Sequence, residues 1–395
     1  MNKNKVLHER ILNRGVENIY PSKDFLDELL QSDKKLTLYL GIDPTGPSLH
    51  LGHAIPLMKL AQFQQLGHRI IMLIGSFTAM IGDPTDKLAT RQPLTREQVL
   101  LNCKKYKEQA SALISFDGDN PAEIKFNSEW LDKLNFKEII DLSANFTVQQ
   151  MLERDMFEKR LNEGKPIGLH EFLYPLMQGY DSVAMKVDGE VGGNDQTFNM
   201  LAGRTLEKAI LNKEKVVITT KLLTDSSGKK MGKSEGNMLR LDDSASDKFG
   251  KIMSWSDEMI INGFELCTKE SEEKINEVKK RLHDKENPRD LKLELAEAIV
   301  KIYHGEEEAK RQVQNFISTF SKGEKPQEIE EFVLAGKSLV EVLVGSGLVS
   351  SKSDAKRNIE QNGVKINDVV CADPNQAVSS GDIIQKGKRF FIKIK

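Results

Sequence analysis

No run of eighteen or more apolar residues occurs in the 395-residue chain, which excludes a membrane-spanning helix. Cysteine is scarce. Cys103, Cys267 and Cys371 stand far apart and are odd in number, so neither a disulfide framework nor a zinc spacing can be drawn from them. Reduced thiols in a cytoplasmic protein are the expectation. Met1-Asn2-Lys3-Asn4-Lys5 leads into a polar stretch with no apolar core and no small-residue cleavage site, so no secretory signal is expected. Charge of one sign is also lacking: 57 Lys and Arg face 59 Asp and Glu, a net of −2. With 39% apolar and 29% charged residues, the chain reads as a folded globular protein, neither disordered nor collagenous.

What is present is unevenly distributed. From Gly336 to Lys395 ten Lys and Arg face six acids, so this tail carries +4 and the rest −6. A small basic end on an acidic body suits a polyanion-binding appendage, although many solvated surfaces reach that charge. Single cores stop growing near roughly 250–300 residues, so two or three domains are expected.

The first third alternates strands and helices. Leu36 to Ile42 and Ile70 to Ile74 are apolar runs, and helical spacing at Ala54, Leu57, Met58 and Ala61 lies between them, closed by Gly67. That is a βαβ unit, and runs apolar on both faces belong to parallel strands covered by helices. Ile124-Lys125-Phe126, Val187 to Gly193 and Val216 to Thr220 continue the series. Residues 1–225 are therefore expected to form a doubly wound, Rossmann-like parallel α/β sheet, with a charged helical insertion around 134–165. In such sheets, ligands sit beyond the carboxyl ends of the strands. Residues 226–320 read as a lysine-rich loop followed by a helical domain. In it Leu291, Leu295, Ala296, Ile299 and Val300 recur at helical period after Pro288. Residues 321–335 read as a polar linker. Residues 336–395 form a small α+β module, with helices near 340–343 and 353–360, a turn at Asn362-Gly363, and strands at 364–366 and 389–394.

Two segments carry chemistry. Gly41-Ile42-Asp43-Pro44-Thr45-Gly46-Pro47-Ser48-Leu49-His50-Leu51-Gly52-His53 runs from a strand end through a turn-rich loop into a helix start, where free N–H groups and the helix dipole favour anions. Two imidazoles three residues apart can face one ligand, and Gly52 lets it approach the backbone. Alternatively they cap the helix or bind a metal, but no third ligand cluster follows. Further on, Lys229-Lys230-Met231-Gly232-Lys233-Ser234 places lysines three apart between glycines. They could clamp phosphate oxygens or be a solvated basic loop; the spacing is not that of a Walker loop.

Together these two segments resemble the class I aminoacyl-tRNA synthetases. His50-Leu51-Gly52-His53 is similar to their His-Ile-Gly-His signature and Lys230-Met231-Gly232-Lys233-Ser234 to Lys-Met-Ser-Lys-Ser. Gly232 in place of serine should loosen the loop but keeps both lysines. Tyr174, Gln178 and Asp181, at i, i+4 and i+7, share one helix face. They match the Tyr-x-x-x-Gln-x-x-Asp helix of the tyrosyl-tRNA synthetases. Tyr39 before Gly41-Ile42-Asp43, Thr78 to Pro84, and Gly192-Gly193-Asn194-Asp195-Gln196 agree, with Asn194 where the family often has serine. The tail resembles the RNA-binding module named after ribosomal protein S-four.

The resemblance implies an ATP-dependent ligase that makes tyrosyl-adenylate, releases pyrophosphate and passes tyrosine to the 3′ end of tRNA(Tyr), with Mg²⁺ accompanying ATP. His50, His53 and Thr45 would serve the phosphates, and Lys230 and Lys233 the leaving pyrophosphate. Tyr39 and Asp181 would read the substrate phenol. Asp83, Tyr174 and Gln178 would hold its ammonium, with Gln196 near its carboxyl. Gly41, Asp43, Gly193 and Asp195 would border the nucleotide, although Asp43 and Asp83 each precede proline and could be turn residues. Lys352, Lys356, Arg357, Lys386, Lys388 and Arg389 are candidate RNA phosphate contacts or ordinary surface charge. The family also implies a homodimer. Three other readings remain open at this point: tryptophanyl-tRNA synthetase, a catalytically inactive synthetase-like RNA-binding protein, and a coenzyme-forming nucleotidyltransferase.

Overall fold

The computed structural model describes residues 3–83, 94–224, 228, 238–321, 329–333, 337–349, 351–387 and 390–395. They fall into two compact units, Met1–Tyr303 and His304–Lys395.

The first unit is built on six strands: β1 (Val16–Tyr20), β2 (Thr37–Ile42), β3 (Arg69–Ile74), β4 (Glu123–Phe126), β5 (Gly189–Gly193) and β6 (Val216–Thr220). Their order across the sheet is β1-β6-β5-β2-β3-β4. From β6 to β4 all pairs are parallel, as the apolar runs demand, and β2, β3 and β6 are buried along most of their length. One strand departs from the expected all-parallel sheet. β1 pairs antiparallel with β6 at the edge. Its sequence, Val-Glu-Asn-Ile-Tyr, is half-polar because only one side of an edge strand meets the core.

The chain leaves β2 toward β3 on one side, whereas β5 and β6 lie on the other, so the switch point falls between β2 and β5. There the sheet opens. β2 and β5 pair only through Leu38 with Gly189 and Tyr39 with Glu190. Beyond that point each follows its outer neighbour, Gly41 opposite Leu73 and Gly193 opposite Thr220. Gly41 is consequently exposed between buried Leu40 and Ile42, and a Cβ placed on it would find no atom nearer than 3.9 Å.

Helices Phe136–Ser143, Val148–Leu152 and Asp155–Asn162 occupy the segment read as an insertion. Helices Ala245–Met253, Met259–Cys267, Glu272–His283 and Pro288–His304 follow the sheet. Pro288 stands at the first helical position, where its missing N–H costs nothing. Leu291, Leu295, Ala296, Ile299 and Val300 face inward.

In the second unit, helix Glu306–Ser321 precedes a five-stranded sheet: β7 (Glu330–Phe332), β8 (Val364–Ile366), β9 (Val369–Val370), β10 (Ile383–Lys386) and β11 (Phe390–Ile394). Helices Leu339–Gly345 and Lys352–Glu360 cover one apolar core with Val364, Ile384, Ile392 and Ile394. The segment read as a linker ends in structure, because β7 pairs parallel with β11. Asn362 takes the left-handed conformation at the expected turn, and Asn367 and Asp368 take it at the turn between β8 and β9.

One buried group is a liability. Glu207, on helix Thr197–Leu211, is fully buried, and among the described residues no donor reaches either carboxylate oxygen. Burial pushes its pKa from 4.5 up to about 7, against the pull of Lys215 and Lys213. The folded chain therefore binds this proton more tightly than the unfolded chain. Stability then falls as pH rises from 4.5 to about 7. Glu207→Met is expected to raise stability at pH 8 by up to about 3 kcal/mol, a gain of a few degrees in Tm. The gain should shrink toward pH 5, as read by thermal melting across that range.

Candidate active site

Helix Leu51–Gln65 begins at the switch-point side of β2. At its start the two signature histidines hold each other. His50 Nδ1 accepts from the Gly52 N–H at 3.1 Å, and His53 Nδ1 accepts from the His50 N–H at 3.2 Å. The rings stack with centroids 3.9 Å apart. A neutral imidazole whose Nδ1 accepts carries its proton on Nε2. Capping thus turns both residues into Nε2–H donors at a helix N-terminus, so the capping and anion-binding readings describe one arrangement. A Cβ on Gly52 would meet the His50 ring at 2.9 Å.

The loop between β2 and that helix is fastened from outside. Asn102 Nδ2 donates to Pro44 O at 2.8 Å, Tyr106 Oη to Gly46 O at 2.7 Å and Gln109 Nε2 to Pro47 O at 3.1 Å. Gln109 Oε1 accepts from Leu49 N at 2.6 Å, and Ser48 Oγ donates to Asp242 Oδ2 at 2.8 Å. Thr45 lies in this braced loop, its N–H on Asp43 O at 2.8 Å. Lys230 and Lys233 lie outside the described residues. The chain that follows them is anchored beside the histidines, with Leu51 N on Leu239 O at 3.1 Å and Leu241 N on Leu49 O at 2.8 Å.

Helix Leu173–Met185 lies against the opening in the sheet and turns its three polar residues inward. Tyr174 Oη donates to Asp43 Oδ2 at 2.8 Å. Gln178 Nε2 donates to Glu190 Oε1 at 3.0 Å. Asp181 is only 2% exposed and accepts from Trp130 Nε1 at 2.7 Å and Asn127 Nδ2 at 3.2 Å. Burial pushes the Asp181 carboxyl well above the usual carboxylate range, against those two bonds. Tyr39, fully buried on β2, lies 3.0 Å from Ser182 Oγ, one residue beyond Asp181. A hydroxyl and a carboxyl are therefore both buried near the vertex where β2 and β5 part, close enough for the charge of Asp181 to act on the Tyr39 phenol. The helix can sit this close because Gly179 packs on Gly203 of helix Thr197–Leu211: a Cβ on Gly179 would come 3.1 Å from Gly203 N.

Asp43 also accepts from Thr78 Oγ1 at 2.7 Å, and burial pushes its carboxyl up to about 7. Its side chain lies over Gly75, where a Cβ would come within 1.8 Å of Asp43 Oδ1. The carboxylate thus organises three elements, which a turn residue would not. Asp83 is similarly built in: Gln196 Nε2 donates to Oδ2 at 2.8 Å, Asn199 Nδ2 donates to Oδ2 at 3.2 Å, and the Arg154 guanidinium lies 3.4 Å from Oδ1. At the end of β5, Asp195 folds back over Gly193, where a Cβ would come 2.5 Å from Asp195 Oδ1.

Asn127, Trp130, Ser182, Glu190 and Lys215 had no role in the sequence reading. The one available signal was position, since Asn127 stands just past the carboxyl end of β4. In the second unit, Lys352, Lys356 and Arg357 are exposed on one helix, Arg357 paired with Asp354 at 2.6 Å. Lys386 is half-buried, donates to Leu348 O at 2.5 Å and lies over the Phe390 ring. Lys388 and Arg389 lie outside the described residues.

Residues 31–321 match the family model of class I tRNA synthetases (W and Y), and residues 338–384 match the S4 domain. The first model spans two amino-acid specificities; the relatives divide them. The tyrosine–tRNA ligase of Haemophilus ducreyi is 45% identical over 386 residues, 97% of this chain and 96% of its own. The chain belongs to the tyrosyl-tRNA synthetase family. That of Thermotoga maritima is 43% identical, covering 98% of this chain and 96% of its own. Among solved structures, a C-terminally truncated mitochondrial tyrosyl-tRNA synthetase from Coccidioides posadasii aligns with a TM-score of 0.65 at 26% identity, over 79% of this chain and 92% of its own. Family membership favours the synthetase reading over a tryptophan enzyme or a coenzyme-forming transferase. It also makes the chain an aminoacyl-tRNA ligase with a Rossmann-like domain and a C-terminal S4 domain.

Proposed function

We propose that the chain activates L-tyrosine with ATP to tyrosyl-adenylate and transfers the tyrosyl group to the 3′ end of tRNA(Tyr). The observation that carries the specificity is the buried Tyr39–Ser182–Asp181 group at the split between β2 and β5. A phenol reaching it meets a hydroxyl and a carboxyl shielded from water. Phenylalanine would leave both unpaired, and the principle that such a site rejects the analogue lacking a hydroxyl is illustrated by this same enzyme class.

Adenylate formation is an in-line attack of the substrate carboxylate on the α-phosphorus, expelling pyrophosphate. Carboxylate is already ionised at pH 7, so the site needs to position and to stabilise charge, not to remove a proton. His50 and His53 donate through Nε2–H to the phosphate chain, Thr45 assists from the braced loop, and Lys230 and Lys233 balance the leaving pyrophosphate. Gly41, Gly193 and Asp195 border the adenosine at the open switch point. Tyr174, Gln178 and Asp83 surround the substrate ammonium, and Gln196 stands near its carboxyl. Tyr174 and Gln178 hold this geometry through Asp43 and Glu190. Magnesium arrives as part of the MgATP substrate, carried by phosphate oxygens. Among the described residues no group of three or more His, Cys, Asp or Glu is placed to hold a metal ion.

The tail is the tRNA-binding appendage: Lys352, Lys356, Arg357 and Lys386, with Lys388 and Arg389, meet RNA phosphates. A homodimer is favoured by Phe136 and Ile140, 78% and 51% exposed four residues apart on one helix, and by Val148 at 66%. No described helix is long and apolar enough to cross a membrane. The cytoplasm, where tRNA and ATP are found, is the proposed location.

ATP–pyrophosphate exchange with each of the twenty amino acids tests the reading. Exchange is expected with tyrosine alone. Exchange with tryptophan instead would transfer the chain to the neighbouring specificity, and exchange with none would mark an inactive RNA-binding protein.

A further inference from the structure

Beneath the vertex of the β2–β5 opening runs a buried polar chain centred on Lys215, a residue with no part so far in adenylate formation. Lys215, immediately before β6, is fully buried, and Glu190 on β5 is 2% exposed. The Lys215 ammonium has three N–H groups and three acceptors: Ser182 Oγ at 2.6 Å, Glu190 Oε2 at 2.5 Å and Met200 O at 3.3 Å. Gly203 makes room for it, since a Cβ there would come 2.4 Å from Lys215 Nζ. An ammonium has no lone pair, so Ser182 Oγ can only accept from it and must send its own hydrogen elsewhere. The Tyr39 hydroxyl is 3.0 Å away. Burial, reinforced by the charges of Glu190 and Asp181 and by a side-chain hydrogen bond to Glu190, holds the Tyr39 phenol well above its ordinary pKa, so it keeps its proton.

We propose that Lys215, acting through Ser182, fixes the direction of the Tyr39 hydroxyl and is a positioning residue for discrimination between tyrosine and phenylalanine. Tyr39 Oη accepts from Ser182, so its hydrogen points away from Ser182, toward Glu190 and, once tyrosine is bound, to the oxygen of the substrate phenol. Asp181, next along the helix, accepts the phenol's own hydrogen. The substrate hydroxyl then meets one committed donor and one acceptor. Without Lys215, Ser182 could donate or accept, and Tyr39 could spend its hydrogen on Ser182. A charged donor makes the orientation stronger than a neutral one would. The same ion pair reaches a second substrate group, because Glu190 Oε1 accepts from Gln178. The inference rests on the reading of Tyr39 and Asp181 as partners of the phenol.

The test uses the full-length chain with Ser182→Ala, Ser182→Thr, Lys215→Met, Tyr39→Phe and the double variant Tyr39→Phe/Ser182→Ala. ATP–pyrophosphate exchange is measured with tyrosine and with phenylalanine. Ser182→Ala is expected to lower the tyrosine-to-phenylalanine ratio of kcat/KM by about tenfold, with KM for ATP changed less than about twofold. Ser182→Thr, which retains the hydroxyl, should preserve most of the ratio, and Lys215→Met should lower it as Ser182→Ala does. In the Tyr39→Phe background, Ser182→Ala should cost no further discrimination, because the hydroxyl it orients is gone. A serine of purely structural use would slow both amino acids alike and add to Tyr39→Phe, and either result overturns the proposal. Full discrimination in a folded Lys215→Met variant does so too, and Ser182→Ala decides the matter if Lys215→Met does not fold. If Tyr39→Phe lowers the ratio and Ser182→Ala does not, the relay fails while the phenol pocket stands. If Tyr39→Phe leaves the ratio unchanged, the pocket reading itself fails.

Discussion

Asp181→Ala is expected to lower kcat/KM for tyrosine-dependent ATP–pyrophosphate exchange by on the order of 100-fold or more, with KM for ATP near its parent value. The substitution removes the acceptor for the substrate phenol. It also leaves Trp130 Nε1, which donates to the carboxyl at 2.7 Å, without that partner in a half-buried place, and it strips from Asn127 Nδ2 its 3.2 Å bond to the carboxyl while the 3.0 Å bond to Thr78 Oγ1 remains. Both losses fall on the amino-acid pocket. The phosphate end is proposed to be built from the helix start at His50 and the loop behind it, and Asp181 reaches that loop indirectly, through Asn127, Thr78 and Asp43. Asp181→Asn should lose less, since an amide oxygen can still accept. Steady-state exchange at varied tyrosine and varied ATP separates the two ends of the site. Equal losses for tyrosine and for ATP would contradict the assignment of Asp181 to the phenol.

Removal of the C-terminal module is expected to spare exchange and to lower tRNA charging by on the order of 100-fold, from lost phosphate contacts. Where the chain is cut matters. A cut at 336, the boundary that charge and composition suggest, leaves β7 behind without β11, its parallel partner. Truncation ahead of Glu330 removes the sheet as a unit. Charging by the full-length chain should also weaken as salt rises, whereas exchange should not. Charging that survives truncation unchanged would remove the tail from tRNA recognition.

The strands β2, β3 and β6 were legible because they are apolar runs, the first two punctuated by glycine, and the first helix of the βαβ unit because its apolar period is closed by Gly67. The strands that escaped, Val16–Tyr20, Glu330–Phe332, Val369–Val370 and Ile383–Lys386, are short or half-polar. Their strand character comes from a neighbour: β1 exists because β6 offers an edge, and β7 because β11 does. The site divides along the same line. His50, His53, Tyr174, Gln178 and Asp181 show themselves through spacing within one segment. Lys215, Glu190, Trp130 and Asn127 do not, because their partners are 12 to 54 residues away and burial alone gives them meaning. In the sequence Lys215 is one more lysine of a charged turn, and only the folded chain sets it against Ser182 and Glu190.

The bracing of Pro44 to Leu49 by Asn102, Tyr106 and Gln109 has a consequence for how damage spreads. These three side chains hold the loop by its carbonyls and an amide, so if the triphosphate lies there as proposed, its mould is cast before any nucleotide arrives and little ordering remains to be done on binding. Lesions in a stretch that holds none of the signature residues would then mimic loss of the histidines themselves. Inherited or selected defects in nucleotide use are to be sought there as readily as in the signatures.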